Sequence, residues 1–247
     1  MITACKRPYY LEPVLRSWAA VRGIEAVPVT IALGESRHHD MMIDVIGHAM
    51  PSQHVRILPD KVPGFGLHAA IADGISSCFE EPETEFVIAS EEDVVVGDDT
   101  LEYFRWAAAE FASDERVLAV LAHNPGGQGW DEHTPAQDAD AAPDAVRLLP
   151  YFNAWGWGTW RDRWEKVLEP AWDRACTSGG PRDSGYDWHI ATRIIPQGYY
   201  LCVVPEASRT QNIGRAEGWA STEESFAFSQ SQSFRESRPT MAYRVMV

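Results

Sequence analysis

Short apolar runs alternate with amphipathic stretches along the first half of the chain. Met1–Cys5 is an apolar run of strand length. Pro8 then opens a stretch in which Leu11, Leu15 and Trp18 recur at helical spacing until Gly23 stops it. Val27–Leu33 and His54–Leu58 predict a second and a third strand. Leu67–Cys78 predicts a helix after the loop Gly64-Phe65-Gly66, and Glu85–Ser90 predicts a further strand. Leu101, Phe104, Ala108 and Phe111 share one stripe of a following amphipathic helix, and Val117–Ala122 is again strand-like. Strands and helices in this order imply an α/β fold, with a mainly parallel, Rossmann-like sheet flanked by helices on both faces.

The pattern changes after His123. Residues 124–145 are rich in Gly, Asp, Pro and Ala and show little periodicity. A connection of that length reads either as a functional lid or as surface chain without regular structure. Regular pattern resumes with Val146–Phe152, the run Ala154–Trp160 and a helical Arg161–Leu168. Asp187–Ile195 has helical spacing and Tyr199–Val204 is strand-like. From Gln211 the chain is rich in Ser and Glu, with Phe226, Phe228 and Phe234, and is expected to pack over the sheet as an arm. The break divides the chain into two halves of one domain, 1–122 and 123–247.

The strand at 85–90 runs into Glu91-Glu92-Asp93. Carboxylates at the carboxyl end of a strand stand where open α/β sheets bind ligands. Clustered hard oxygen atoms suit Mg²⁺ or Mn²⁺, ions that accompany phosphates. The competing reading is a solvated turn, in which Asp99 and Glu102 form a capping box for the next helix.

Composition narrows the choice. A chain of 247 residues, 45% of them hydrophobic, suffices for one large α/β domain. With 21 Lys and Arg against 36 Asp and Glu, the net charge is −15. That argues against a general nucleic-acid or anionic-membrane surface, while a local basic pocket stays possible. No apolar stretch approaches the ~20 residues of a membrane span, and no signal-peptide pattern stands at the start. Cys5, Cys78, Cys176 and Cys202 are scattered without a CxxC pair, as expected for reduced thiols in a soluble cytoplasmic protein.

Four segments together carry a resemblance. They are Met1-Ile2-Thr3-Ala4-Cys5-Lys6-Arg7-Pro8; Glu91-Glu92-Asp93 with Leu101-Glu102-Tyr103-Phe104; Trp155-Gly156-Trp157-Gly158-Thr159-Trp160 through Trp164, Glu169-Pro170 and Trp172; and Tyr186-Asp187-Trp188 followed by Pro205–Gly214. In order and spacing they resemble the nucleotide-sugar glycosyltransferases of GT-A fold. Within that fold they are most similar to the N-acetylglucosaminyltransferase I-like group and related bacterial and phage enzymes. The resemblance implies a nucleotide-sugar-binding first half and an acceptor-side second half bearing the catalytic base. It also implies a donor linked to UDP, a Mn²⁺ or Mg²⁺ cofactor, and transfer of a hexose.

The resemblance assigns roles residue by residue. Asp93 is the metal ligand, and Glu91 and Glu92 touch the sugar or ribose. Relatives commonly have Asp where Glu92 stands, so the reach here is longer. Arg7 contacts the base, with Thr3 and Ala4 offering backbone groups. His68 and Asp73, on the helix after Gly64-Phe65-Gly66, are further candidates for the donor. Asp187, just before Trp188, is the general base. No histidine follows His189, which implies a single protein carboxylate on the metal.

Chemistry supports these residue types. A nucleotide diphosphate leaves poorly unless its charge is neutralised, and a hydroxyl is a weak nucleophile without a nearby base. Trp155 and Trp157 offer flat faces for a pyranose, and Gly156 lets the backbone come close. Trp160 and Trp164, four apart, are expected to fill the core from one helical face. Arg209 suits a diphosphate, and equally a tie to the acidic tail.

Other classes compete. A glycoside hydrolase would use Asp93 and Asp187 as its carboxylate pair. An inactive sugar- or nucleotide-binding module would bind donor without turnover. A DNA-modifying phage enzyme would need a local basic cluster, for which Arg161, Arg163, Lys166, Arg174 and Arg182 are available. The acceptor is open among protein, glycan, small molecule and modified nucleic acid.

Overall fold

The computed structural model describes residues 1–34, 38–51, 54–58, 66–124, 142–174, 185–215, 223, 226–227, 230 and 234–246. Strands β1 (Ile2–Ala4), β2 (Val29–Leu33), β3 (Val55–Leu58) and β4 (Phe86–Glu91) pair in parallel, with β1 between β4 and β2. Helices α1 (Pro8–Ala19), α2 (His39–Ala49) and α3 (Gly66–Phe79) connect them. Leu11, Val14 and Leu15 of α1 and Met42 and Ile46 of α2 pack with Ile31 and Leu33 in one core. Ile71 and Ile75 of α3 pack with Val87 and Ala89 in another. The sequence pattern leaves α2 unassigned because its buried stripe is thin and Met41 and Ile43 are exposed.

The second half extends the same sheet. After α4 (Thr100–Glu110) come β6 (Val117–Leu121), β7 (Ala145–Leu149), β8 (Trp157–Trp160), β9 (Leu201–Pro205) and β11 (Arg244–Val245). Among the described residues the order is β11-β7-β9-β6-β8-β4-β1-β2-β3. β8 is antiparallel to both β4 and β6, and β7 is antiparallel to β9, whereas β6–β9 and β7–β11 are parallel. The sheet is therefore parallel throughout its first half and mixed in its second. β8, from the second half of the chain, is inserted between two strands of the first.

The tryptophan run is a strand, which corrects the shared helical face expected for Trp160 and Trp164. Strand side chains alternate between faces. Trp157 accordingly joins the core beneath α3, and Trp160 joins Phe86 and Phe104 on the opposite side. Trp164 lies on the Trp157 side. Both tryptophans do fill core, on different faces.

Short helices follow: α5 (Arg161–Arg163) and α6 (Glu169–Ala171), then α7 (Tyr186–His189) and α8 (Ile195–Gly198). Each pair is joined by a π turn, Trp164–Leu168 and Ile190–Ile194. Pro170 and Pro196 account for both. Proline lacks the N–H and crowds the carbonyl four residues back. The residue before each proline, Glu169 or Ile195, instead donates five residues back, to Trp164 or Ile190.

Two further strands are too short to read from sequence. β5 (Val94–Val96) directly follows the acidic turn and pairs antiparallel with β10 (Thr210–Asn212). This ribbon brings the late signature onto the acids. Asp99 caps α4 by position but its side chain makes no capping bond, so the capping box of the competing reading is absent; it pairs instead with Arg209. Glu102 accepts a bond from Arg22.

The described part of the tail does run along the fold. Tyr243 stacks on Trp106 at 5.0 Å, Ser237 and Arg238 bond to Asp98, and β11 pairs with β7. Phe228, Cys176, Arg182, the Gly64-Phe65 pair and most of the 124–145 connection lie outside the described residues. Of the candidate basic cluster, three described members are engaged with separate partners. Arg161 bonds to the carbonyls of Glu81 and Thr84, Arg163 is buried on Ala112, and Arg174 pairs with Asp73.

Candidate active site

β1 and β4 are neighbours, so the turn after β4 meets the loop after β1. Glu92 spans that gap. Its Oε2 accepts from the backbone N–H groups of Cys5 (2.6 Å) and Lys6 (3.2 Å), and Oε1 accepts from Arg7 Nε at 2.7 Å. Consecutive N–H groups curled round a carboxylate make an anion nest. The extra methylene of Glu is what carries the carboxylate to it. Arg7 continues to Asp93, with Nη2 2.8 Å from Oδ2, and lies over the ring of Tyr10 at 5.3 Å. Thr3 stands in register with Glu91, and the Ala4 carbonyl accepts from the Gly34 N–H at 2.9 Å.

Asp93 is buried. Its Oδ2 faces Arg7, whereas its Oδ1 is enclosed and has no hydrogen-bond partner among the described residues. Burial raises its pKa, and Arg7 opposes the rise. The C-terminal signature closes over it. Ile213 N–H donates to the Asp93 carbonyl at 2.8 Å, and a Cβ on Gly214 would lie 2.3 Å from Oδ2. Only glycine permits that approach.

Glu91 is half-buried and is held from the other side of the site. The Tyr186 hydroxyl donates to its Oε1 at 3.0 Å. Burial, then the neighbouring Asp93 and Asp187, push Glu91 up to about 8. The Tyr186 ring stacks on Trp172 at 5.1 Å and meets the edge of His68 at 5.8 Å, with Trp157 beneath at 6.3 Å. Trp172 Nε1 in turn donates to the His68 carbonyl at 3.0 Å. The Gly/Trp segment thus builds the wall that sets Tyr186.

Asp187 follows Tyr186 on α7 and is half-buried. Its carboxylate folds back over Gly185, where a Cβ would fall 2.0 Å from Oδ1. Burial raises its pKa, and its own helix N–H groups and His68 oppose the shift. His68 is itself buried, with Nδ1 unpartnered among the described residues, and burial lowers its pKa.

The structure therefore brings together Arg7, Glu91, Glu92, Asp93 and Asp187, with His68 beside them. Trp155 is half-buried next to this region, and Gly156 takes a left-handed φ of 86° that sends Trp157 into β8. Trp157 itself is only 1% exposed, so it supports Tyr186 from within the core. Asp73 is occupied by Arg174, and Arg209 is buried in the core, paired with Asp99.

Two residues escaped the sequence reading. Tyr186 sits inside the late signature but its partner is 95 positions away. His123 is fully buried at the end of β6, edge-on to Trp155 at 4.7 Å, and burial brings its pKa down to about 4. Only its place at the end of an apolar strand hinted at it.

A divalent cation fits this donor set through one carboxylate oxygen, the enclosed and unpartnered Oδ1 of Asp93. Among the described residues no group of three or more His, Cys, Asp or Glu converges on a metal position.

Comparison with known proteins places this geometry. Solved structures show the fold. A mannosyltransferase, PcManGT from Pyrobaculum calidifontis, in complex with GDP-Man and Mn²⁺, is 19% identical with a TM-score of 0.51, covering 83% of this chain and 54% of that one. Residues 1–349 of S. aureus TarS in complex with UDP are 13% identical with a TM-score of 0.53, covering 77% of this chain and 53% of that one. This chain spans about half the length of both. No curated protein matches it by sequence. The fold is that of the GT-A glycosyltransferases. The GNT-I family model matches residues 72–231, which include the acidic turn, the Gly/Trp segment and the Asp187 signature, and the chain belongs to the GNT-I family.

Proposed function

We propose that this protein is a cation-dependent glycosyltransferase that moves a hexose from a UDP-linked donor to an acceptor hydroxyl, inverting the sugar carbon. The observation that carries the reading is the meeting of the acidic turn with Asp187, tied by the Tyr186–Glu91 hydrogen bond at 3.0 Å. Asp93 would hold Mn²⁺ or Mg²⁺ through Oδ1. The chemistry such an ion would supply there is neutralisation of diphosphate charge.

The remaining steps belong to the chain. Asp187 takes the proton of the acceptor hydroxyl, and its raised pKa makes it a stronger base once ionised. Glu91, fixed by Tyr186, presents its other oxygen to the donor sugar. The loop bearing Arg7, with Thr3 and Ala4 at its root, frames the base, and Glu92 sets the shape of that loop. Trp155 and Gly156 offer an apolar face and a close backbone to the pyranose. With the base across from the diphosphate, displacement is a single in-line step. Support comes from PcManGT, solved with GDP-Man and Mn²⁺, and from TarS, solved with UDP. A cytoplasmic location is part of this reading, supported by the free thiols of Cys5, Cys78 and Cys202. No helix among the described residues is long and apolar enough to cross a membrane.

A thermal-shift series tests the reading. UDP with Mn²⁺ at 100 times its Kd adds about 2.7 kcal/mol of stability, a rise of roughly 5–10 °C in Tm. Chelation with EDTA should remove most of that rise. No shift with any nucleoside diphosphate, with or without the ion, would contradict it.

A further inference from the structure

The acidic turn already contains a cation. Arg7 lies 2.7 Å from Glu92 Oε1 and 2.8 Å from Asp93 Oδ2, with its side chain only 11% exposed. Gly214 packs against the same Oδ2, where a Cβ would lie 2.3 Å away. Among the described residues Oδ1 of Asp93 has no hydrogen-bond partner. A divalent ion arriving alone would meet a carboxylate half-neutralised by Arg7, and the two cations would repel across a poorly solvated gap. A nucleoside diphosphate brings the negative charge that offsets both.

We infer that Arg7 is a built-in counter-cation which suppresses binding of the free divalent ion and makes the ion and the nucleoside diphosphate bind cooperatively. This rests on the reading of Asp93 as the cation ligand. In the free protein Arg7 keeps the acids compensated and the turn folded. With donor present the same charge favours the diphosphate, so the ion enters with its nucleotide. Arg7 acts here through charge, as a residue that sets ion affinity. Coupling between two ligands is reciprocal, so it can be measured from the ion side alone.

The test titrates the full chain with Mn²⁺, alone and with saturating UDP, and follows free Mn²⁺ by electron paramagnetic resonance. Arg7→Gln removes the charge but can still hydrogen-bond to Glu92, Arg7→Met removes both, and Arg7→Lys keeps the charge. Circular dichroism identifies which variants are folded. The neutral variants should bind Mn²⁺ alone about tenfold tighter than the parent, in the range of ordinary coupling, and UDP should then enhance Mn²⁺ binding by correspondingly less. Arg7→Lys should stay close to the parent. Unchanged or weaker Mn²⁺ affinity in a folded neutral variant overturns the inference while leaving the cation site standing. A parent protein that binds no Mn²⁺ even with UDP overturns both.

Discussion

Asp187→Asn should lower sugar transfer by about 10²–10⁴-fold while leaving UDP and Mn²⁺ binding unchanged. The side chain stays isosteric, and its place over Gly185 needs no change of shape. What is lost is the ability to take a proton from the acceptor hydroxyl. Because burial raises the Asp187 pKa, the parent enzyme should gain rate with pH through a range above that of an ordinary carboxylate, then level off. The sign follows from the role: a base works only when ionised, and it is ionised above its pKa. UDP release measured against pH shows this rising limb in the parent and its absence in the variant. A fully active Asp187→Asn removes Asp187 from the chemistry. A hydrolase using Asp93 and Asp187 would instead need one of them protonated, which gives a falling limb at high pH.

Arg209→Met should destabilise the fold by about 3–5 kcal/mol, because it strands Asp99 as a buried charge. Both side chains are 0% exposed, with Arg209 Nε 3.2 Å from Asp99 Oδ2. The guanidinium also lies 4.2 Å above the Tyr103 ring and 5.2 Å from that of Tyr243, and donates to the Ala207 carbonyl at 3.0 Å. It fastens the late signature to the start of α4 and to the tail. Adding Asp99→Leu to Arg209→Met should restore much of the loss, since Asp99 then no longer stands as a carboxylate without Arg209. Urea unfolding of the single and double variants measures both. A single-variant loss below about 1 kcal/mol, the size of an exposed pair, would show that the pair is hydrated in solution.

The legible part of the fold is the part set by local period. The strands ending at Ala4, Leu33, Leu58, Glu91 and Leu121 come from apolar runs, and α1, α3 and α4 from helical stripes. What stayed hidden depends on partners far along the chain. β5 and β10 are three residues each and exist because they pair across more than a hundred positions. Trp160 looked helical because spacing by four fits a helix, yet the run from Trp157 alternates as a strand between β4 and β6.

The candidate site divides the same way. The acids were legible as carboxylates at the end of a strand, and Asp187 through the family resemblance. The Tyr186–Glu91 tie, the placement of Arg7 on Asp93 and the burial of Arg209 with Asp99 were not legible. Each joins residues whose separation no sequence window spans.

Calorimetric titration of UDP into the parent and into Asp93→Asn, each with Mn²⁺ and with EDTA, bears most directly on the role of the acidic turn. The expected result is tighter binding with Mn²⁺ than with EDTA in the parent, and one EDTA-like affinity under both conditions in Asp93→Asn. Full Mn²⁺-dependent tightening in Asp93→Asn would contradict it.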